Sequence, residues 1–312
     1  MMAPRKNAIV VVGSANMDMV AKVKKFPRPG ETIFGTNFGM FPGGKGANQA
    51  VCAAKLGASV SFLGKIGSDV LGEKLAVTMK RHKVNLRHLI KTADTTSGTA
   101  LITVDGGGEN EIIVVSGSNM TLRSVEIRKR KTAFLGAAVV LLQLEIPLEV
   151  VREALMQGKR HGAMTILNPA PAAKTPRSML RLVDYLTPNE TEAEILTGIR
   201  VSTPARVEKA ALKLLELGVR NVIVTLGRHG SLLVNRQVIR KFPSVKVRAV
   251  DSTGAGDAFS GALAVALAAG KRVEEAIIFA SRVAAFSVTR MGAIPSMPTM
   301  RDLRAWNHSP KA

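Results

Sequence analysis

Short β-branched or apolar runs alternate with longer helix-forming segments along nearly the whole chain, and this alternation restricts the possible folds more than any other feature. Ala8 to Val12, Val60 to Leu63, Ala137 to Leu142, Met164 to Leu167, Tyr185 to Thr187, Val222 to Thr225 and Ser231 to Val234 read as buried strands. Helical patterns fill the intervals at Ala47 to Leu56, Leu71 to His82, Leu148 to His161, Glu190 to Thr197, Ala205 to Leu217, Asp257 to Ala269 and Val273 to Arg290. Strands apolar on both faces need cover on both sides, and parallel neighbours need a crossover between them. The expected class is therefore α/β, with a mainly parallel central sheet and helices on both faces. Helix-end signals agree, with Gly57 and Gly218 as C-terminal glycines and Pro188-Asn189 just ahead of the acidic turn at Glu190.

Two stretches break the alternation, Met19 to Phe41 and Gly98 to Ser116. In the second, Asp105-Gly106-Gly107-Gly108 separates Ala100-Leu101-Ile102-Thr103-Val104 from Glu111-Ile112-Ile113-Val114-Val115, a hairpin signal. Neither stretch has the bulk to build its own core, so both are expected in a small β-sheet lying as a lid over the main one. A chain of 312 residues that is 46% hydrophobic can bury a full core, and by length residues 1–312 make one large or two ordinary domains, with no internal repeat.

Chemistry concentrates first at Asp251-Ser252-Thr253-Gly254-Ala255-Gly256-Asp257, between a β-branched run ending at Val250 and the small-residue helical run Ala258 to Ala269. A chain turning through glycines into a helix leaves backbone N–H groups unpaired at the positive end of the helix dipole, a good receptor for phosphate. Asp257 sits on the first helical turn, where its charge would repel a bound phosphate unless it acts on a neighbouring group, most naturally as a base. Taken alone, a helix-start carboxylate favoured by the dipole also fits.

The second concentration is Gly43-Gly44-Lys45-Gly46-Ala47-Asn48-Gln49. With Gly39 it nearly satisfies G-x-x-x-x-G-K-[ST], but Gly46 stands where the magnesium-holding hydroxyl belongs, so the P-loop reading fails. No G-x-G-x-x-G follows Ala8 to Val12, which removes the dinucleotide-binding fingerprint. The glycines are expected to let backbone approach a small ligand closely, with Lys45 and Asn48 offering donors.

Composition narrows the class further. Forty-four Lys and Arg against 23 Asp and Glu give a net charge of +21, a field that attracts polyanions as well as nucleotides. The densest run, Arg128-Lys129-Arg130-Lys131, lies in a helical-looking segment, Ser124 to Leu135, and reads as a solvated face; with aromatics at 4%, no specific nucleic-acid partner is expected. No apolar run reaches membrane-spanning length, the N-terminal residues lack a signal sequence, and the single Cys52 cannot form an internal disulfide. A cytoplasmic setting is the expectation. The five His residues never take zinc-ligand spacing.

Beyond these strings, the chain carries Gly13-Ser14-Ala15-Asn16-Met17-Asp18, Gln143-Leu144-Glu145, Asn168-Pro169-Ala170-Pro171, Pro188-Asn189-Glu190-Thr191-Glu192 and Thr225-Leu226-Gly227. In this order, with the two glycine-rich motifs, they resemble the PfkB family of sugar and nucleoside kinases, to which ribokinases, adenosine kinase and bacterial fructokinases belong. The similarity runs from about Ile9 to Pro298. It implies a single kinase domain whose β lid covers the sugar and often forms a dimer contact, so a homodimer is expected.

The resemblance also implies roles. Asp257 matches the catalytic base, and the N–H groups of Gly254, Ala255 and Gly256 match an anion hole. Asn16, Asp18, Gly44, Lys45, Asn48 and Glu145 match the sugar contacts. Asn189 and Glu192 match an N-x-x-E that organises Mg²⁺ and phosphate through water, while Thr225, Gly227, Gly230 and Gly256 fall where ATP is held. A potassium ion ringed mostly by carbonyls would lie at Asp251, Thr253, Ser287, Arg290, Gly292 and Ser296. Read from residues alone, Asn189 and Glu192 equally suit a plain helix start, Asn16 a surface turn and Glu145 an exposed strand end.

The expected activity is phosphorylation of D-ribose at its 5-hydroxyl by Mg²⁺-ATP, giving ribose 5-phosphate and ADP. The neighbouring possibility is 2-deoxyribose or another sugar or nucleoside of the family. A non-catalytic sugar- or polyanion-binding protein is the alternative from another class, and an intact glycine turn with Asp257 speaks against it.

Overall fold

The computed structural model describes residues 7–307. Its central sheet has eight strands in the order Ile239–Phe242, Ser231–Asn235, Asn221–Thr225, Tyr185–Leu186, Met164–Leu167, Val139–Leu142, Ala8–Val12 and Ser59–Leu63. From Asn221–Thr225 to Ser59–Leu63 every neighbouring pair is parallel; Ser231–Asn235 and Ile239–Phe242 continue the sheet antiparallel.

Successive residues of the strands face opposite sides. Ile9, Val11, Val139 and Leu141 enter one apolar cluster with the helices Lys45–Lys55, Ala255–Ala268 and Val273–Ser287. Val10, Val12, Val140 and Leu142 enter another with Leu148–Arg160 and Pro204–Glu216. The two cores on either side of one sheet explain why its central strands are continuous apolar runs. Among the described residues no helix is long and apolar enough to cross a membrane.

Strand order reverses at the first strand: the chain leaves it for Ser59–Leu63 on one side and returns at Val139–Leu142 on the other. The carboxyl ends of Ala8–Val12 and Val139–Leu142 therefore flank a crevice, the usual ligand position in such sheets. Over it lies a second sheet, ordered Asn37–Gly43, Asn16–Lys22, Gly98–Val104 and Asn110–Val115. The hairpin expected at Asp105 is present, with Asp105 Oδ1 accepting from the N–H groups of Gly107 and Glu109.

Several expectations need correction. Asn16, which also suited a surface turn, is 5% exposed in the lid strand Asn16–Lys22, and Asp18 lies in the same strand. The strand before Glu145 stops at Leu142, leaving Glu145 half-buried in the crossover. The helical pattern Ser124 to Leu135 breaks at Lys129 and resumes as a short 3₁₀ turn, Lys131–Phe134. The long helix from Val273 ends at Ser287, and the Val288 carbonyl just beyond it accepts the N–H groups of Val250 and Asp251.

The glycines of the Gly43–Gly46 stretch also admit other parts of the protein. A Cβ on Gly44, where φ is 85°, would lie 2.6 Å from the Asn16 nitrogen, and one on Gly46 would lie 2.6 Å from the Ser14 nitrogen. The start of the Lys45–Lys55 helix is thus pressed against the Gly13–Asn16 backbone. Because backbone cannot swing aside as a side chain can, Gly46→Ala should lower unfolding stability by about 1–3 kcal/mol, read as a shift of the urea midpoint.

Candidate active site

Two helices meet at the crevice, and their contact is set by small residues. Gly261 lets the Ala255–Ala268 helix approach Lys45–Lys55 so closely that a Cβ there would lie 2.9 Å from the Cys52 Cβ. Asp257 is one turn before Gly261 and Asn48 one turn before Cys52, so the same approach brings these side chains together. Asn48 Nδ2 donates to Asp257 Oδ2 at 2.9 Å, and Gln49 Nε2 donates to Asp257 Oδ1 at 2.9 Å. Cys52 is fully buried at this crossing, and burial pushes its thiol up to about 12.

Asp257 is 5% exposed and opens onto a cleft of ≈ 220 Å³. Burial raises its proton affinity, while Lys45, Gln49 and Asn48 act in the opposite sense; the net direction is upward. Burial likewise opposes the charge on Lys45, but the carboxylates of Asp257, Glu145 and Glu192 outweigh it and hold the ammonium above its ordinary value. Asp18 is pushed up to about 7, chiefly by burial and then by repulsion from Glu145 and Asp257. Four carboxylates, Asp18, Glu145, Glu192 and Asp257, are therefore grouped around one ammonium, an arrangement suited to accepting hydrogen bonds from a polyhydroxyl ligand.

The expected sugar residues come together here. Glu145 Oε2 accepts from the Ser14 hydroxyl and, at 3.0 Å, from the Lys45 N–H, which ties the crossover to a helix start. Asn119 Nδ2 donates to Asn16 Oδ1 at 2.7 Å, turning the Asn16 amide nitrogen outward as the donor. Asn48 Oδ1 is buried and has no partner among the described residues, a vacant acceptor beside Asp257. Gly44 serves this group through its backbone geometry alone.

Across the cleft, Gly254 opens the Ala255–Ala268 helix with φ at 75°. The Ala255 N–H already donates to the Ser252 carbonyl at 3.2 Å, so of the three expected anion-hole amides only those of Gly254 and Gly256 lack a partner among the described residues. A Cβ on Gly256 would meet nothing within 4 Å, consistent with its facing open space. Lys45, Asn189, Glu192 and Thr225 line the same cleft. Gly227 and Gly230 lie on the next turn and do not line it; Gly230, at φ 90°, instead allows close passage of the Phe242–Ser244 backbone.

Asn189 and Glu192 are reciprocally capped: Asn189 Oδ1 accepts from the Glu192 N–H at 2.8 Å and Glu192 Oε2 from the Asn189 N–H at 2.9 Å. The plain helix-start reading is therefore true of them, and they still border the cleft. Among the described residues no three carboxylate, imidazole or thiol groups cluster to hold a metal directly. Behind the cradle, Asp251 Oδ1 accepts from the Thr253 N–H at 2.9 Å and Oδ2 from the Gly292 N–H at 2.7 Å. Although burial opposes it, these bonds hold the Asp251 carboxyl below its ordinary range. Ser287 and Ser296 donate their hydroxyl hydrogens to the carbonyls of Ala284 and Ala293 and keep their oxygen lone pairs.

Residues 6–300 match the sequence model of the pfkB family carbohydrate kinases. The chain belongs to that family. This kinase is 39% identical to a ribokinase of Haemophilus influenzae over 297 residues, covering 95% of this chain and 97% of that one. It is 38% identical to a deoxyribokinase of Salmonella typhi over 299 residues, covering 96% and 98%. A solved structure of Arabidopsis thaliana ribokinase complexed with ribose and ATP superposes on 99% of this chain and 100% of its own with a TM-score of 0.92 at 35% identity. The kinase residues missed by sequence reasoning are those that orient others: Ser14, Asn119 and Asn168, and the roles of Gln49 and Gln143. All but Asn119 fall in strings already notable, but their long-range partners are visible only in the fold.

The Asp18 carboxyl has a sign that can be tested. Its pKa is raised from 3.8 unfolded to about 7 folded, so native protein retains a proton that unfolded chain releases, and stability falls as pH rises between those values. Asp18→Asn should match wild type in thermal melts near pH 4 and be more stable at pH 8, by no more than about 4 kcal/mol.

Proposed function

We propose that this kinase phosphorylates D-ribose at the 5-hydroxyl with ATP, releasing ribose 5-phosphate and ADP. The observation that carries the reading is the position of Asp257, a buried carboxylate between a polyhydroxyl-accepting crevice and the unpaired amides of a helix start. Asp257 accepts the hydroxyl proton as the sugar oxygen attacks the terminal phosphorus. The Gly254 and Gly256 amides meet the charge that develops on the transferring group, each donor contributing about 3 kcal/mol. Lys45 balances the crevice carboxylates so that a neutral sugar and an anionic nucleotide can be held together. Asn189 and Glu192 would hold Mg²⁺ through its water shell, since their oxygens are already engaged in the helix cap.

A monovalent cation fits behind the cradle, where Asp251, Ser296 and the backbone oxygens of Thr253, Ser287, Arg290 and Gly292 are the proposed holders. Carbonyl oxygens replace the hydration shell of potassium readily, and the charge there would reinforce the positive field at the helix start.

A 38% identical relative bearing the name deoxyribokinase keeps 2-deoxyribose in view. Asn16 favours ribose: held by Asn119, its amide nitrogen needs an acceptor, and a missing hydroxyl leaves it unpaired. A coupled ADP-release assay across ribose, 2-deoxyribose, fructose and adenosine, with and without K⁺, should place ribose first. Ribose ranking last would overturn the substrate assignment while leaving the family intact. Asp257→Asn should lower kcat by about 10²- to 10⁴-fold with both substrates still bound, as measured by calorimetric titration.

The proposed assembly is a homodimer through the lid, in a cytoplasmic setting. Ile112, Ile113, Val114 and Val115 are about half exposed on the outer strand of the lid, an apolar edge suited to a second copy. Ile113→Lys should shift the mass measured by light scattering from dimer to monomer.

A further inference from the structure

The base is held from behind by amides outside the expected sugar and nucleotide sets. Gln49 Nε2 donates to Asp257 Oδ1 at 2.9 Å and to Asn168 Oδ1 at 3.2 Å. Gln49 Oε1 accepts from Gln143 Nε2, and Asn168 Nδ2 donates to the Thr187 carbonyl at 3.1 Å. Gln49 and Gln143 are both fully buried and neither borders the cleft.

This arrangement allows only one orientation of the Gln49 amide. Turned over, its oxygen would face two acceptors, Asp257 Oδ1 and Asn168 Oδ1, while its NH₂ would face the NH₂ of Gln143. Every donor in the chain Gln143 to Gln49 to Asp257 thus points toward the carboxylate. Gly13 belongs to the same design, because a Cβ there would collide with Gln143 Oε1. That oxygen has no partner among the described residues. An apolar side chain at 143 would spare that oxygen but leave Gln49 Oε1 buried without its donor, so what the glutamine supplies at 143 is the orientation of Gln49.

We infer that Gln49, itself oriented by Gln143 and Asn168, is a positioning residue for phosphoryl transfer that fixes the plane of the Asp257 carboxylate and keeps it ready to accept a proton. The inference rests on the proposed kinase chemistry and extends it to residues that touch no substrate. With Asn48 on Oδ2 and Gln49 on Oδ1, rotation of the carboxylate breaks both bonds, and the lone pairs left over face the cleft. Two N–H donors also favour the charged form against the burial that disfavours it.

The test uses Gln49→Met and Gln143→Met in the full chain, with three readouts: kcat and KM for each substrate, the acid limb of the pH profile, and ¹³C NMR titration of the Asp257 carboxyl. Gln49→Met should lower kcat by about ten- to a hundredfold while both KM values stay within about threefold. The acid limb and the Asp257 titration should both move to higher pH. Gln143→Met should shift each readout in the same direction by less, with a melting temperature lowered modestly because Gln49 Oε1 loses its donor. A merely structural link predicts a lower melting temperature with kcat per folded molecule and the acid limb unmoved, and that outcome overturns the inference. Should Gln49→Met not fold, Gln143→Met decides by the same criteria. Were wild type to phosphorylate no sugar, the proposed function would fail; an unmoved Asp257 titration in the variant would separately refute the positioning role.

Discussion

The rest of the site depends on one carboxylate gripped by two amides where two helices cross. Asp257 alone at 5% exposure would be driven toward its neutral acid, since transferring an isolated charge out of water is costly. The Lys45 charge acts against that tendency first, and Gln49 and Asn48 add to it because their helix lies close enough to deliver both side chains to one group. The closeness is set one turn away, at Gly261 and Cys52, by residues with no chemical part to play. A packing constraint between small side chains thus determines the geometry of a reactive group.

Electrostatics then govern the surroundings. Asp18, Glu145 and Asp257 repel one another, and Lys45 is the ammonium among them. The crevice is not at its stability optimum, because like charges are held together that water or distance would separate. That strain is the expected signature of a ligand site, where hydrogen bonds from bound hydroxyls supply what the protein leaves unmet. The vacant Asn48 Oδ1 expresses the same condition in a neutral group.

Much of this was legible in the sequence. Strands such as Ala8–Val12 and Met164–Leu167 emerge with their expected bounds because a strand buried on both faces leaves an uninterrupted apolar run. Ile239–Phe242 was missed, since a mostly exposed edge strand reading Ile-Arg-Lys-Phe carries no such pattern. The Gly254–Asp257 turn and the Gly43–Asn48 stretch were found because chemistry demands specific residues there. The reason for the Gly44 and Gly46 glycines was not, as it depends on the Gly13–Asn16 backbone lying against them. Asn119 could not be anticipated, being 103 residues from the Asn16 amide it orients and within no recognisable string. Ala255 illustrates a finer limit: a turn can be recognised as an anion cradle without revealing that one amide is already committed to Ser252.

Asn16 and Asp18 stand on a strand of the overlying sheet, whereas Asp257 and the amide cradle belong to a helix anchored in the main core. On the proposed reading, part of the recognition of the acceptor is thereby mounted on a different layer from the carboxylate that executes the reaction. On that reading, substitutions in the upper layer would retune which alcohol is admitted while the reactive hardware below is undisturbed. An architecture divided in this way is open to diversification, because new preferences can be explored without dismantling the step that makes any of them productive.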